Sequence, residues 1–215
     1  MIQDATAFIR ENTRILTAPH VPEIRLHLAD DAVALWEMTE EQLGEIGLPP
    51  PFWAFAWAGG QALARYVLDH PDEVRGRRVL DLASGSGLVA IAAMQAGAAS
   101  AAAVDIDAFA AEAAILNAAL NGVDIETSTQ NLIGAAIDFD VVLVGDLFYD
   151  RDISADLIIW LKRLHGEGRR VLIGDPGRTY LPKDALTAVA EYAVPVSRAL
   201  EDAEVKRTRV WRLAA

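Results

Sequence analysis

Short apolar runs alternate with longer amphipathic or alanine-rich stretches along most of this chain. Runs of strand length between charged or small residues are read as strands, and stretches with a period near 3.6 as helices. Phe8, Ile9, Ile15 and Leu16 fall on one side of a helix predicted over 3–16, with Arg10, Glu11 and Arg14 on the wet side. Pro19 and Pro22 end it. Residues 23–28 alternate with period two and predict a half-buried strand. Residues 32–36 predict a return strand, giving a hairpin outside the main sheet. The triple proline Pro49-Pro50-Pro51 forces an extended entry into the aromatic run Phe52-Trp53-Ala54-Phe55-Ala56-Trp57. Gly59-Gly60 then opens a helix over 61–68.

Further on, the alternation becomes regular. Strands are predicted over 79–82, 99–104, 125–129, 139–145 and 170–174. Helices are predicted between them over 88–94, 108–120 and 153–164. Asp107 is placed as an N-cap, Asn121-Gly122 as a helix stop, and Asp150 and Asp152 as capping residues. A helix opened by Pro182 is predicted over 182–192, followed by an antiparallel pair of strands over 193–196 and 208–213. This pattern predicts an α/β fold with a doubly wound, mostly parallel sheet. Ligands in such sheets bind beyond the carboxyl ends of the strands. Asp81, Asp105, Asn131, Asp146 and Asp175 all fall at those ends. The chain reads as a single domain over 1–215, with an N-terminal extension over 1–50 and a cofactor-binding core over 51–215.

Composition narrows the function. With 215 residues, 53% hydrophobic, and a mean hydropathy of +0.21, the chain can bury a substantial core. No apolar run reaches the roughly 20 residues that cross a bilayer, and Met1 to Ala5 lacks a signal peptide's basic start, so a cytoplasmic, non-membrane protein is expected. Cysteine is absent, and His20, His27, His70 and His165 are scattered, so no metal site is expected. The net charge is −12 and the pI near 4.7. The basic groupings Arg75-Gly76-Arg77-Arg78, Arg169-Arg170 and Lys206-Arg207 each flank a predicted strand. That argues against a nucleic-acid partner. A lysine-bearing protein meets no electrostatic objection.

The candidate chemistry begins at Val79-Leu80-Asp81-Leu82-Ala83-Ser84-Gly85-Ser86-Gly87. A strand runs into an acidic residue, then a loop of small residues, then a helix whose first N–H groups are unpaired. Gly85 to Ala90 fits the dinucleotide fingerprint G-x-G-x-x-G/A, with Asp105 18 residues after Gly87. Asp81 points elsewhere: a carboxylate at that strand end suits an amino-bearing ligand better than a pyrophosphate. The alternative without a ligand is a tight turn with a capping Asp. The D-L-x-x-G-x-G arrangement resembles motif I of the S-adenosylmethionine-dependent methyltransferases, in which the acid lies near the cofactor's methionine end.

A second site follows at Gly145-Asp146-Leu147-Phe148-Tyr149, where a fourth strand meets the ligand edge. A carboxylate and a phenol so placed can orient an amine; the bland alternative is a polar loop after a buried strand. Asp146-x-x-Tyr149 resembles the Asp/Glu-x-x-Tyr/Phe motif of seven-β-strand protein lysine methyltransferases. Taken with Pro51-Phe52-Trp53-x-Phe55-x-Trp57-x-Gly59-Gly60, Asp105-x-Asp107, the Asn117-to-Asn121 helix end and Gly174-Asp175-Pro176-x-Arg178, the chain resembles the electron transfer flavoprotein β-subunit lysine methyltransferases. The resemblance implies a seven-stranded Rossmann-like sheet, S-adenosylmethionine as cofactor and lysine of the flavoprotein β subunit as substrate. It implies that Trp57, Gly59, Asp81, Ala83, Ser84, Gly85, Gly87, Asp105, Ile106, Asn131 and Gly145 bind the cofactor. Asp146 and Tyr149 would face the lysine. A methyltransferase for a small amine or another protein residue rests on the same motifs, and a nicotinamide-dinucleotide protein is the rival from another class.

Overall fold

The structure is a computed structural model that describes residues 4–29, 44, 50–197 and 203–214. Helix α1 spans Ala5–Glu11 and is capped by Asp4, whose side chain accepts from the Ala7 N–H at 2.9 Å. Strands β1 (Arg14–Ala18) and β2 (Val21–Leu28) form an antiparallel hairpin apart from the main sheet. The core follows as α2 (Ala58–Asp69), β3 (Arg78–Leu82), α3 (Leu88–Gln95), β4 (Ser100–Val104), α4 (Ala108–Leu120) and β5 (Glu126–Ser128). It continues with β6 (Val141–Gly145), α5 (Arg151–Gly166), β7 (Arg170–Asp175), β8 (Leu186–Pro195) and β9 (Val205–Leu213).

The main sheet has seven strands in the order β5-β4-β3-β6-β7-β9-β8. Strands β3 to β7 are parallel, and β9 runs antiparallel to both β7 and β8. The chain winds outward from β3 in one direction and from β6 in the other, which leaves a crevice at the carboxyl ends of these two neighbours. Period-two alternation sorts each strand between two cores. Val79, Val141, Leu143 and Leu172 pack with α2 and α3 residues such as Leu63 and Ile91. Leu80, Val142, Val144 and Ile173 pack with Leu157, Trp160 and Leu161 of α5. A third cluster joins Ile9 of α1 to Trp53, Ala110 and Ala113. Among the described residues no helix is long and apolar enough to cross a membrane.

Two expected helices are corrected. The helix over 3–16 stops at Glu11, and Ile15 and Leu16 lie on β1, opposite His27 and Leu26. Thr13, Ile15 and Thr17 are β-branched and fit an extended chain, and the ladder with β2 decides the outcome. The helix over 182–192 is a 3₁₀ turn over Lys183–Ala185 and then β8. Its pairing with β9 runs from Leu186↔Leu213 to Pro195↔Val205, so tertiary pairing overrides the local helical pattern. The hairpin partner of β2 is therefore β1; the return strand expected over 32–36 lies outside the described residues.

Two asparagines explain the end of α4. Asn121 accepts from the Arg25 N–H at 3.0 Å and donates to the Arg25 carbonyl at 2.7 Å. Asn117, fully buried, accepts from the His27 N–H at 2.7 Å and donates to the Ser86 carbonyl at 2.8 Å. Side chains of α4 thus satisfy the open edge of β2 and tie it to the glycine loop.

The start of α2 meets the sheet backbone to backbone. A Cβ on Gly59 would overlap the Gly174 carbonyl and the Asp146 carboxylate, whereas a Cβ on Gly60 would have nothing within 4 Å. Gly59→Ala is expected to cost about 3 kcal/mol and to lower the melting temperature by about 10 °C. Gly60→Ala should hold it level or raise it slightly, because alanine favours a helix interior by up to about 1 kcal/mol. Paired thermal melts check both.

Candidate active site

Two residues other than glycine adopt positive φ among the described residues: Ala83 at 53° and Asp146 at 55°. They stand at the ends of β3 and β6, adjacent strands in which Leu82 lies opposite Val144. Such conformations are costly and persist where the surrounding fold holds them. Both residues line a cleft of about 520 Å³ at the carboxyl edge of the sheet.

Of the residues expected to hold a cofactor, Trp57, Ala83, Gly85, Asp105, Ile106, Asn131 and Gly145 line this cleft. Asp146 and Tyr149 line it too. Gly59, Asp81, Ser84 and Gly87 are not on its wall. Gly87 has a φ of 76°, and a Cβ there would come within 2.8 Å of the Ala114 Cβ, so its space is filled by α4. Asp81 is 1% exposed and accepts from the Ala90 N–H in the first turn of α3 at 2.9 Å. Burial pushes its carboxyl up to about 8, against the pull of that N–H and with a further push from Asp105.

Just past β4, Asp105 lines the cleft and braces the glycine loop. Its Oδ2 accepts from the Gly85 N–H at 2.9 Å and its Oδ1 from the Asp107 N–H at 3.0 Å. Burial raises its carboxyl above the usual range, and the two N–H groups oppose that rise. Each oxygen keeps a further lone pair, suited to a sugar diol. Asn131 is exposed, and its Oδ1 accepts from the Ile133 N–H at 3.0 Å. In the aromatic run, Trp53 is buried and stacks on Phe109, while Phe52 is 50% exposed beside Tyr149.

Past the end of β6 the site is ionic. Asp146 Oδ2 accepts from the Gly60 N–H at 2.8 Å, and Oδ1 accepts from Arg178 Nη2 at 2.8 Å and Nε at 3.2 Å. Its side chain is 10% exposed. Burial pushes its carboxyl up to about 6; Arg178 pulls it down and Asp175 adds to the push. Tyr149 is 49% exposed, and burial, then Asp105 and Asp150, raise its phenol above the ordinary value. Arg178 is the residue that sequence reasoning left without a role. Its signal was its place just past a strand end, in Gly174-Asp175-Pro176-x-Arg178.

The residues present fit the cofactor that the resemblance implies. The volume suits a nucleoside-sized ligand, Asp105 offers free lone pairs, and Ala83 and Gly85 bring backbone to the cleft wall. Among the described residues, no group of three or more His, Cys, Asp or Glu is placed to hold a metal ion.

Comparison with known proteins gives a consistent result. The profile of the ribosomal protein L11 methyltransferase (PrmA) family matches residues 61–147. The electron transfer flavoprotein beta subunit lysine methyltransferase of Homo sapiens is 40% identical over 213 residues, covering 95% of this chain and 80% of that protein. Its Rattus norvegicus counterpart is 38% identical over 213 residues, covering 95% and 82%. Among solved structures, a ribosomal protein L11 methylase from Lactobacillus delbrueckii subsp. bulgaricus has a TM-score of 0.52 and 25% identity, covering 74% of this chain and 81% of that one.

Asp81 gives a prediction free of any ligand. Its carboxyl is neutral in the folded chain up to about pH 8 but ionises near pH 4 when unfolded. Its contribution therefore favours the fold at low pH and is lost as pH rises through that window. Asp81→Asn keeps the acceptor for Ala90 and cannot ionise. The variant's melting temperature should gain steadily on the wild type between pH 5 and pH 8; parallel curves would show that Asp81 does not titrate there.

Proposed function

This chain belongs to the electron transfer flavoprotein β-subunit lysine methyltransferase family and is an S-adenosylmethionine-dependent methyltransferase, and from that premise we propose that it methylates lysine side chains of the electron transfer flavoprotein β subunit in the cytoplasm. The whole of 1–215 is read as one methyltransferase domain serving that reaction. The supporting observation is one cleft lined both by Gly85 and Asp105, past the ends of β3 and β4, and by Asp146 and Tyr149, past the end of β6. S-adenosylmethionine, when bound, supplies a methyl group on a sulfonium sulfur, which a neutral amine can take by in-line displacement.

The chain's own residues do the rest by positioning. On this reading Asp105 accepts the ribose hydroxyls, and Ala83, Gly85 and Gly145 present backbone to the cofactor. Trp57, Ile106 and Asn131 complete its walls. Asp81, Ser84, Gly59 and Gly87 act from behind: Asp81 holds the first turn of α3 through Ala90, Gly59 lets α2 close on the end of β7, and Gly87 lets α4 close on the glycine loop. Asp146 orients the lysine amine and stabilises the positive charge that forms on its nitrogen. Tyr149 offers a phenol oxygen and a ring face beside it. A free lysine is mostly protonated at neutral pH, with a pKa near 10.4. Its proton goes to water before attack, and the apolar walls of Leu82, Val104 and Leu147 favour the neutral amine.

The test is incubation with methyl-labelled S-adenosylmethionine and the purified flavoprotein from the same source. Label mapped by mass spectrometry to β-subunit lysines is the expected result. Label confined to a small amine or to another protein would overturn the substrate while leaving methyl transfer standing. Asp146→Ala should lower kcat by about 10²–10³-fold. S-adenosylhomocysteine affinity, measured by calorimetry, should stay near the wild-type value. A variant that fails to bind the cofactor would show that Asp146 holds the cofactor rather than the lysine.

A further inference from the structure

An amine attacks only through its lone pair. A lysine held beside a buried, unbalanced carboxylate keeps its proton, because the opposite charge favours the ammonium. Asp146 is nearly buried, so the proposed function contains this difficulty. The structure also contains an answer to it. Arg178 already donates to Asp146 Oδ1 through Nη2 at 2.8 Å and Nε at 3.2 Å. Gly60 occupies one position on Oδ2. A carboxylate has about four lone-pair sites, so acceptor capacity remains on Oδ2 for an incoming N–H.

Arg178 is itself held in place. Its backbone N–H donates to Asp175 Oδ1 at 2.7 Å, which fixes the turn after β7. Its guanidinium lies over the Trp57 ring, 5.6 Å from the centroid. Trp57 is fixed in turn by its Nε1–H, which donates to the Phe52 carbonyl at 2.9 Å. Arg178 and Trp57 line the same cleft as Tyr149. A guanidinium is always charged and planar, so it can grip one carboxylate oxygen and stack on an indole at once.

We propose that Arg178 is a positioning residue for the methyl transfer: it balances the charge of Asp146 and fixes the carboxylate, so that Asp146 orients a lysine amine without holding it as an ammonium. This assignment rests on the lysine-methyltransferase reading. Among the described residues, the groups acting on Asp146 are Asp175 and Arg178 from the end of β7 and the Gly60 N–H from α2, and Tyr149 on its own loop lines the same cleft. Loss of the guanidinium acts twice in one direction. Asp146, already pushed up by burial, loses the group that keeps it ionised. The lysine, beside a carboxylate with no counter-charge, holds its proton more tightly. Both effects move activity to higher pH.

The experiment compares Arg178→Met and Arg178→Lys with the wild type in two readouts. The first is the Asp146 carboxyl titration, followed by carbon-13 NMR on protein without cofactor. The midpoint should rise by about one pH unit or more in Arg178→Met, with Arg178→Lys between. The second is the pH profile of kcat/KM for methyl transfer. Its acidic limb should move the same way, so that the rate at neutral pH falls about tenfold for each pH unit the limb moves and recovers at higher pH. Melting temperature and S-adenosylhomocysteine affinity show that each variant is folded. An unmoved midpoint, or an equal loss of rate at every pH, would overturn the proposal. If Arg178→Met does not fold, Arg178→Lys decides by the same two readouts. If the wild type transfers no methyl to the flavoprotein, the substrate reading fails, and the titration still decides whether Arg178 sets the charge of Asp146.

Discussion

The close approach of Gly59 to Gly174 is the contact on which the site depends. With no side chain on either residue, the first turn of α2 lies directly against the end of β7. That places the Gly60 N–H, one of the unpaired donors of a helix start, 2.8 Å from Asp146. The positive end of the helix dipole favours the carboxylate there. Asp146 adopts its left-handed conformation at the same strand ends, with its N–H committed to the Gly174 carbonyl at 3.0 Å. Backbone geometry at two glycines thus fixes the direction of one acidic side chain.

From that point the strand ends divide by the kind of partner their carboxylates have. Burial raises Asp81, Asp105, Asp146 and Asp175 alike. Backbone N–H groups answer it for three of them: Ala90 for Asp81, Gly85 and Asp107 for Asp105, Gly177 and Arg178 for Asp175. Asp146 accepts from the Arg178 guanidinium itself. Neutral donors shape a loop and leave lone pairs for a neutral ligand. An ionic partner keeps a carboxylate charged where it must meet a cation. The contrast follows the proposed division between residues that hold the cofactor and a residue that orients the lysine.

The N-terminal hairpin joins this arrangement through Asn117. One amide accepts from β2 and donates to Ser86, so the hairpin and the glycine loop share a buried hydrogen-bonding residue. An amide can do this because it offers an acceptor and donors on one planar group.

Much of the architecture was legible as pattern. The alternation of strand and helix, the Asp107 cap and the acids at strand ends are local or periodic, and a period is written in consecutive residues. The same was true of the motifs from Asp81 to Gly87 and from Asp146 to Tyr149, which carried the family resemblance. Residues 186–192 and 14–16 misled, because both carry helical spacing and become strands only by pairing with β9 and β2, whereas the helix expected from residue 3 does form over Ala5–Glu11. Gly59 and Gly87 invited a ligand-binding reading, and the fold shows their missing side chains make room for Gly174 and Ala114. Arg178 had a position but no partner until β6 and β7 were laid side by side, 32 residues apart from Asp146 in sequence. Spacing along the chain determines which residue types arrive at the sheet edge. Which of them touch is decided by strand order and register, since hydrogen bonds and charge pairs act across a few ångströms that only the assembled sheet brings about.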